Sequence, residues 1–156
     1  MNFTCLRWEQ LPGIALYMDQ VLLVLNQSLA PLGRGDEPVV TATMINNYVK
    51  MKLAAPAVKK KYEREHLARF TMICLLKKVF SMAEIGFFLD GLLEKLSLEQ
   101  VYGLFCRELE HRLAVLDGAG GADCPQALAV AVRAVAAKIH VEKWIEENSK
   151  KEKEKP

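Results

Sequence analysis

Two short serine-led segments constrain this chain more than any other feature. Ser81-Met-Ala-Glu84 and Ser97-Leu-Glu-Gln100 each set a serine three positions ahead of a glutamate or glutamine. That is the spacing of a capping box: the serine oxygen accepts from the third helical N–H, and the later side chain turns back to the serine N–H. A helix is therefore expected from Ser81 to about Leu96 and another from Leu98 to Leu116, with a firm boundary between them. The second presents Leu98, Val101, Tyr102, Phe105, Leu109, Leu113 and Leu116 as one stripe, leaving Glu99, Glu108, Glu110 and Arg112 outside it.

The rest of the chain reads as helical too. Met1 to Leu11 has a short, interrupted apolar run that packs as an arm, with Trp8 as its anchor. From Pro12, tolerated in a first turn, Ile14, Tyr17, Met18, Val21, Leu22, Leu25 and Leu29 mark an amphipathic helix to about Ala30, stopped by Pro31 and Gly33-Arg-Gly35. Thr41 has the side chain of an N-cap for a second helix, and Pro56 closes the stretch after that helix. A third helix opens near Glu63 and buries Leu67, Phe70, Ile73, Leu76 and Val79. Asp117-Gly-Ala-Gly-Gly-Ala-Asp123 is a linker, and Pro125 opens a last helix over Ala127 to Ile145. Its apolar residues, including Leu128, Val132, Val135, Ile139 and Val141, spread over more than one face, so it fills a bundle or makes a dimer seam. Lys150 to Pro156 is a charged, frayed tail. The expected division is an arm at 1–11, a core domain at 12–96, a C-terminal helical region at 97–148 and a disordered tail at 149–156.

A chain of 156 residues with 51% apolar content has ample material for a core. No apolar stretch reaches the roughly 20 residues that span a bilayer, and Met1 to Leu11 is not patterned as a signal peptide, so a cytoplasmic location is the expectation. Cys5, Cys74, Cys106 and Cys124 lack disulfide or zinc spacing, and Cys74 and Cys106 read as small buried hydrophobes. The glycine-rich linker lacks the Lys-Ser/Thr ending and preceding strand of a phosphate loop. His66, His111 and His140 stand apart, with His66 expected on the surface at a helix start. No catalytic constellation is visible, and no enzyme activity, metal or cofactor is expected.

Function is written most plainly in Thr41-Ala-Thr-Met-Ile-Asn-Asn-Tyr-Val-Lys50. Thr43, Asn46, Asn47 and Lys50 recur at helical spacing on one polar face, while Ile45, Tyr48 and Val49 share the other. Hydroxyl, amide and ammonium groups suit base edges and phosphates. Lys59, Lys60 and Lys61 come after the Ala54-Ala-Pro56 break. Between Thr41 and Phe80 nine Lys or Arg face two Glu, a charge of +7 in a chain of net charge +2, so the remainder carries −5. A polyanion responds to that local charge rather than to the near-neutral total.

These residues resemble a family. Val40-Thr-Ala-Thr-Met-Ile-Asn-Asn-Tyr-Val-Lys-Met-Lys-Leu-Ala-Ala-Pro56 is similar, without a gap, to the recognition-helix stretch of MerR-type regulators, where a Val-Ser start leads into Thr-Ile-Arg-Tyr-Tyr-Glu and ends in Gly-Leu-Leu before proline. Tyr62 with His66-Leu-Ala-Arg-Phe-Thr-Met-Ile73, Leu76 and Phe80-Ser-Met-Ala-Glu-Ile85 resembles the helices after the wing. More closely, Leu16-Tyr-Met-Asp-Gln-Val21, Thr43 to Lys50, Val58-Lys-Lys-Lys-Tyr62 and Arg64-Glu-His-Leu67 resemble a Gram-positive bacterial family known as a domain of unknown function and treated as MerR-like transcription factors. Three departures stand out. Asn46 and Asn47 replace an arginine and a tyrosine that touch DNA in MerR proteins. The wing is short, about Ala57 to Tyr62, with no glycine at its tip. A long connection, Pro31 to Pro38, separates the first two helices. The resemblance implies an all-α protein with a MerR-like winged helix-turn-helix core and C-terminal dimerisation helices. It would bind double-stranded DNA as a homodimer and regulate transcription, with room for an unidentified small-molecule effector. The residues facing DNA would be Thr41, Thr43, Asn46, Asn47, Lys50, Lys59, Lys60, Lys61, Tyr62 and Arg64. The competing expectation is a non-catalytic helical module that binds an acidic protein through the same face.

Overall fold

The computed structural model describes residues 2–120 and 123–154. Among them six α-helices occur in order: α1 Met18–Leu29, α2 Ala42–Lys50, α3 Arg64–Leu76, α4 Met82–Leu93, α5 Leu98–Leu116 and α6 Gln126–Lys153. Two short strands, β1 Leu16–Tyr17 and β2 Lys61–Tyr62, complete the secondary structure together with 3-10 turns at Trp8–Gln10 and Ala30–Leu32. The chain divides into two compact units, one of residues 2–111 and one beginning at Arg112. No described helix is long and apolar enough to cross a membrane.

The fold is mostly helical, with one small antiparallel sheet that the all-α expectation lacked. Leu16 pairs with Tyr62 and Tyr17 with Lys61. This ladder also corrects the start of the first helix. Residues 16 and 17 are extended to reach β2, and Ile14 and Tyr17 are 73% and 50% exposed rather than part of a buried stripe. The helix begins only at Met18, where the Gln20 side chain accepts from the Tyr17 N–H at 2.9 Å. From there Val21, Leu25 and Leu29 are buried as expected.

In the unit of residues 2–111, α3 is the central post. Leu67, Phe70 and Ile73 are buried, and so are Ala68, Met72, Cys74 and Leu75 between them, so neighbours wrap the helix on nearly every side. Fully burying a side chain such as Phe70 or Ile73 contributes roughly 1.5–3 kcal/mol. The helix stops at Leu76, and Val79, expected in its stripe, lies beyond it and is 46% exposed. The next two helices start where the serines place them. Ser81 N–H donates to Glu84 Oε2 at 2.7 Å and Glu84 N–H to Ser81 Oγ at 3.2 Å. Ser97 and Gln100 repeat the exchange at 2.9 and 3.2 Å.

The N-terminal arm packs, burying Phe3, Cys5 and Leu11. Trp8 meets the Tyr102 ring edge-on at 6.3 Å, and the Tyr102 hydroxyl donates to the Leu6 carbonyl at 2.7 Å. Glu110, assigned to the outer face of α5 by its charge, holds the arm instead: it accepts from the Cys5 N–H at 2.8 Å and from Arg7 Nη2 at 2.7 Å. Cys5, Cys74 and Cys106 are buried. A hydrogen bond between the Cys5 and Cys106 thiols, with burial, pushes the Cys5 thiol far above its ordinary range. Burial raises Cys74 to about 12. Cys74 thus remains a neutral thiol, as its reading as a small hydrophobe requires, whereas Cys106, also buried, is lowered from its ordinary value by the hydrogen bond from the Cys5 thiol.

In the second unit, Gln126 Nε2 donates to the Leu116 and Asp117 carbonyls at 3.3 and 2.9 Å, tying the start of α6 to the turn before it. The helix then runs well past Ile145 to Lys153, so Lys150 and Lys151 are helical rather than part of a frayed tail. Ion pairs at i, i+4 spacing, Lys138–Glu142 at 2.9 Å and Glu146–Lys150 at 2.8 Å, favour that extension. The end of the expected tail, Lys155 and Pro156, lies outside the described residues.

Candidate nucleic-acid interface

The candidate surface is built around α2. Thr41 Oγ1 accepts from the Met44 N–H at 3.2 Å, so this predicted contact residue spends its hydroxyl on the helix N-cap. Ile45 and Tyr48 are fully buried and Val49 half-buried, which turns Thr43, Asn46, Asn47 and Lys50 to solvent. The division of faces read from the spacing is the one observed. Lys50 in the last turn also complements the negative end of the helix dipole.

The long connection between α1 and α2 does not leave α2 loose. Asn26 on α1 donates from Nδ2 to the Val40 carbonyl at 2.8 Å and accepts from the Val40 N–H at 2.9 Å. Its amide thus pairs with a backbone residue as a neighbouring strand would, one position before the N-cap. Val40 itself is 1% exposed. Pattern reading missed Asn26, because a polar residue on a helix face looks solvated until its partner is known.

Beyond α2 the backbone is held by α3. The Leu53 N–H reaches back to the Tyr48 carbonyl at 2.9 Å while Lys52 sits at φ 59°, a left-handed helix ending. Arg69 Nη1 donates to the Leu53 carbonyl at 3.0 Å. His66 is buried, not on the surface. Its Nδ1 accepts from the Glu63 N–H at 3.0 Å, which leaves the proton on Nε2 to reach the Pro56 carbonyl at 3.3 Å. The signal for His66 was its third-residue position in the helix, where a side chain can cap the backbone behind it.

A tight hairpin comes next. Val58 and Lys61 exchange both backbone hydrogen bonds, at 2.9 and 3.0 Å, and Lys59 and Lys60 between them have φ of 50° and 62°. That is the geometry of a type I′ turn, which favours Asn-Gly because both central residues are left-handed. A lysine in such a position costs roughly 1–2 kcal/mol. Both are exposed at the tip. Lys61 is half-buried in β2, with its ammonium 5.0 Å from the centre of the Tyr17 ring.

Two predicted contact residues serve the fold. Tyr62 is 7% exposed and packs edge-on against His66 and Phe70, at 5.4 and 5.6 Å. Arg64 donates through Nε and Nη2 to the Leu11 carbonyl, at 3.3 and 3.0 Å, which ties the arm to α3. The surface that remains is the polar face of α2 and the lysines around it. Arg34, Lys77 and Lys78 join Glu37 and Met44 of α2 in lining a shallow cleft of about 280 Å³. Among the described residues no three His, Cys, Asp or Glu side chains converge as a metal site.

Nothing among the curated proteins or the solved structures matches the sequence. A family does match over residues 6–105, a span that takes in most of the arm, the sheet, α1 to α4, the hairpin and the first part of α5. The chain belongs to that family, described as "Domain of unknown function (DUF1836)".

Proposed function

We propose that the protein is a DNA-binding transcriptional regulator of MerR-like type, acting in the cytoplasm without catalysis and binding double-stranded DNA as a homodimer. The observation that carries the reading is the anchored α2, whose exposed Thr43, Asn46, Asn47 and Lys50 are followed in the chain by a basic hairpin, in a segment of charge +7. In this reading α2 enters the major groove and the asparagines pair with base edges, each good bidentate pair contributing about 1–3 kcal/mol of discrimination. The lysines contact phosphates and supply affinity that falls with salt. Dimerisation is assigned to α6, where Leu128, Val132, Val135 and Ile139 are all exposed at alternating four- and three-residue spacing.

Fluorescence anisotropy tests this, with a labelled duplex from the gene's own upstream region against a scrambled one at several salt concentrations. The expected result is preference for the upstream duplex, lost affinity when Lys59, Lys60 and Lys61 become Glu, and reduced preference in Asn47→Ala. A wild type that binds neither duplex at low salt sinks the proposal. Amides at the positions of an arginine and a tyrosine in MerR proteins favour a second reading, in which the same face takes an acidic protein.

A further inference from the structure

Among the described residues only three that are not glycine have positive φ: Lys52 at 59°, Lys59 at 50° and Lys60 at 62°. All three are lysines, and all lie in the short segment between α2 and β2. Glycine or asparagine relieves the steric cost of this conformation, whereas a long straight side chain does not. All three lysines are exposed. Among the described residues none of their ammonium groups takes part in an ion pair or hydrogen bond. The backbone conformations are held by the Leu53–Tyr48 and Val58–Lys61 hydrogen bonds, while among the described residues the lysine side chains themselves add nothing to offset the strain.

We infer that Lys52, Lys59 and Lys60 are a phosphate-gripping set that contacts the DNA backbone without reading sequence, held at the expense of stability. The inference rests on the DNA-binding reading and divides its labour. Backbone strain that the surrounding structure holds in place collects at functional sites. Lysine presents a compact point charge rather than the planar fork that selects a particular acceptor geometry, so it suits repeated phosphates along a groove. Lys52 joins the set because it comes directly after the last turn of α2, and the hairpin then returns two more charges to the region after that helix. The polar face of α2 is left to supply preference between sequences.

The test uses the full chain with Lys52→Gly, Lys59→Asn and Lys60→Gly together, giving each position a residue its backbone favours. The melting temperature is expected to rise by about 5–10 °C. Affinity is expected to fall about 30- to 100-fold for upstream and scrambled duplexes alike, leaving their ratio unchanged, and the slope of log K against log salt is expected to shrink by about 2.7. A second variant with glutamine at all three positions keeps the strain and removes the charge. It should lose the same affinity without the thermal gain. Unchanged affinity and salt slope in both variants, with wild type binding DNA, would overturn the inference and leave the regulator reading intact. A melting temperature that does not rise in the first variant removes the strain argument and overturns it as well. A wild type that binds no duplex defeats the regulator reading first, and this inference with it.

Discussion

Tyr48 shows how a single residue can carry the fold and still be imperfectly fitted. Its ring is fully buried against Phe70, at 6.4 Å, while its hydroxyl is buried with no hydrogen-bond partner among the described residues. Burial pushes the phenol above its ordinary value of 10. Tyr48→Phe is therefore expected to stabilise the protein by about 1 kcal/mol at neutral pH, since it removes an unsatisfied buried donor and leaves the ring in place. The pH effect has a definite sign. With a folded pKa raised above the unfolded one, the wild type is at full stability below about pH 10, and loses stability as pH rises through the range where only the unfolded chain ionises. Denaturant titrations should show the advantage of Tyr48→Phe widening above about pH 10. A variant less stable than wild type at neutral pH would mean that the hydroxyl has a partner. The burial of Tyr48 was legible from its spacing with Ile45, but its empty hydroxyl was not, because periodicity reports a face and never the polar atom at its end.

At the scale of elements, the legible parts were those with local chemistry. The capping boxes at Ser81 and Ser97 and the Thr41 cap place helix starts through bonds that span three residues. What pattern reading missed depends on partners far along the chain. The Leu16–Tyr62 ladder turned an expected helical turn into a strand, and Glu110, charged and seemingly outward, holds an arm more than a hundred residues earlier in the sequence. In the candidate interface the exposed side of α2 was legible, while the parts Tyr62 and Arg64 play in the fold were not, because the ring stack and the Leu11 carbonyl they serve come from other elements. Asn26 is the sharpest case. Asn26→Ala is expected to cost about 2–3 kcal/mol, since it strands the buried Val40 N–H and carbonyl together. Thermal melting would measure that loss. Hydrogen exchange should show it concentrated in the amides around Val40 and the first turn of α2, and equal protection there in the variant would contradict the clamp.

For the whole molecule, the chain divides into two compact units. The family match falls within the first, and α6, in the second, has no buried residue among those described. Leu128, Val132 and Val135 are 55%, 57% and 59% exposed, an apolar row that a lone helix gains nothing by showing to water. Replacing Val132 and Val135 by Glu is expected to shift sedimentation from dimer to monomer, while the stability of the unit of residues 2–111 stays within about 0.5 kcal/mol of wild type, as for surface substitutions. A wild type that sediments as a monomer at all concentrations would remove α6 from the dimer proposal.

The ladder between β1 and β2 also has a topological meaning. It joins Tyr17 to Lys61, and the Asn26 amide joins α1 to Val40, so the chain between them forms two nested rings closed by hydrogen bonds rather than by covalent links. The stretch from Arg34 to Pro38 is the exposed arc of the inner ring. The sheet and the Asn26 clamp hold the two sides of that arc together independently of the peptide running through it. A cut at Arg34 would leave two fragments that still share the sheet and the clamp, making this loop the natural place to split the protein for complementation or to insert a reporter between α1 and α2.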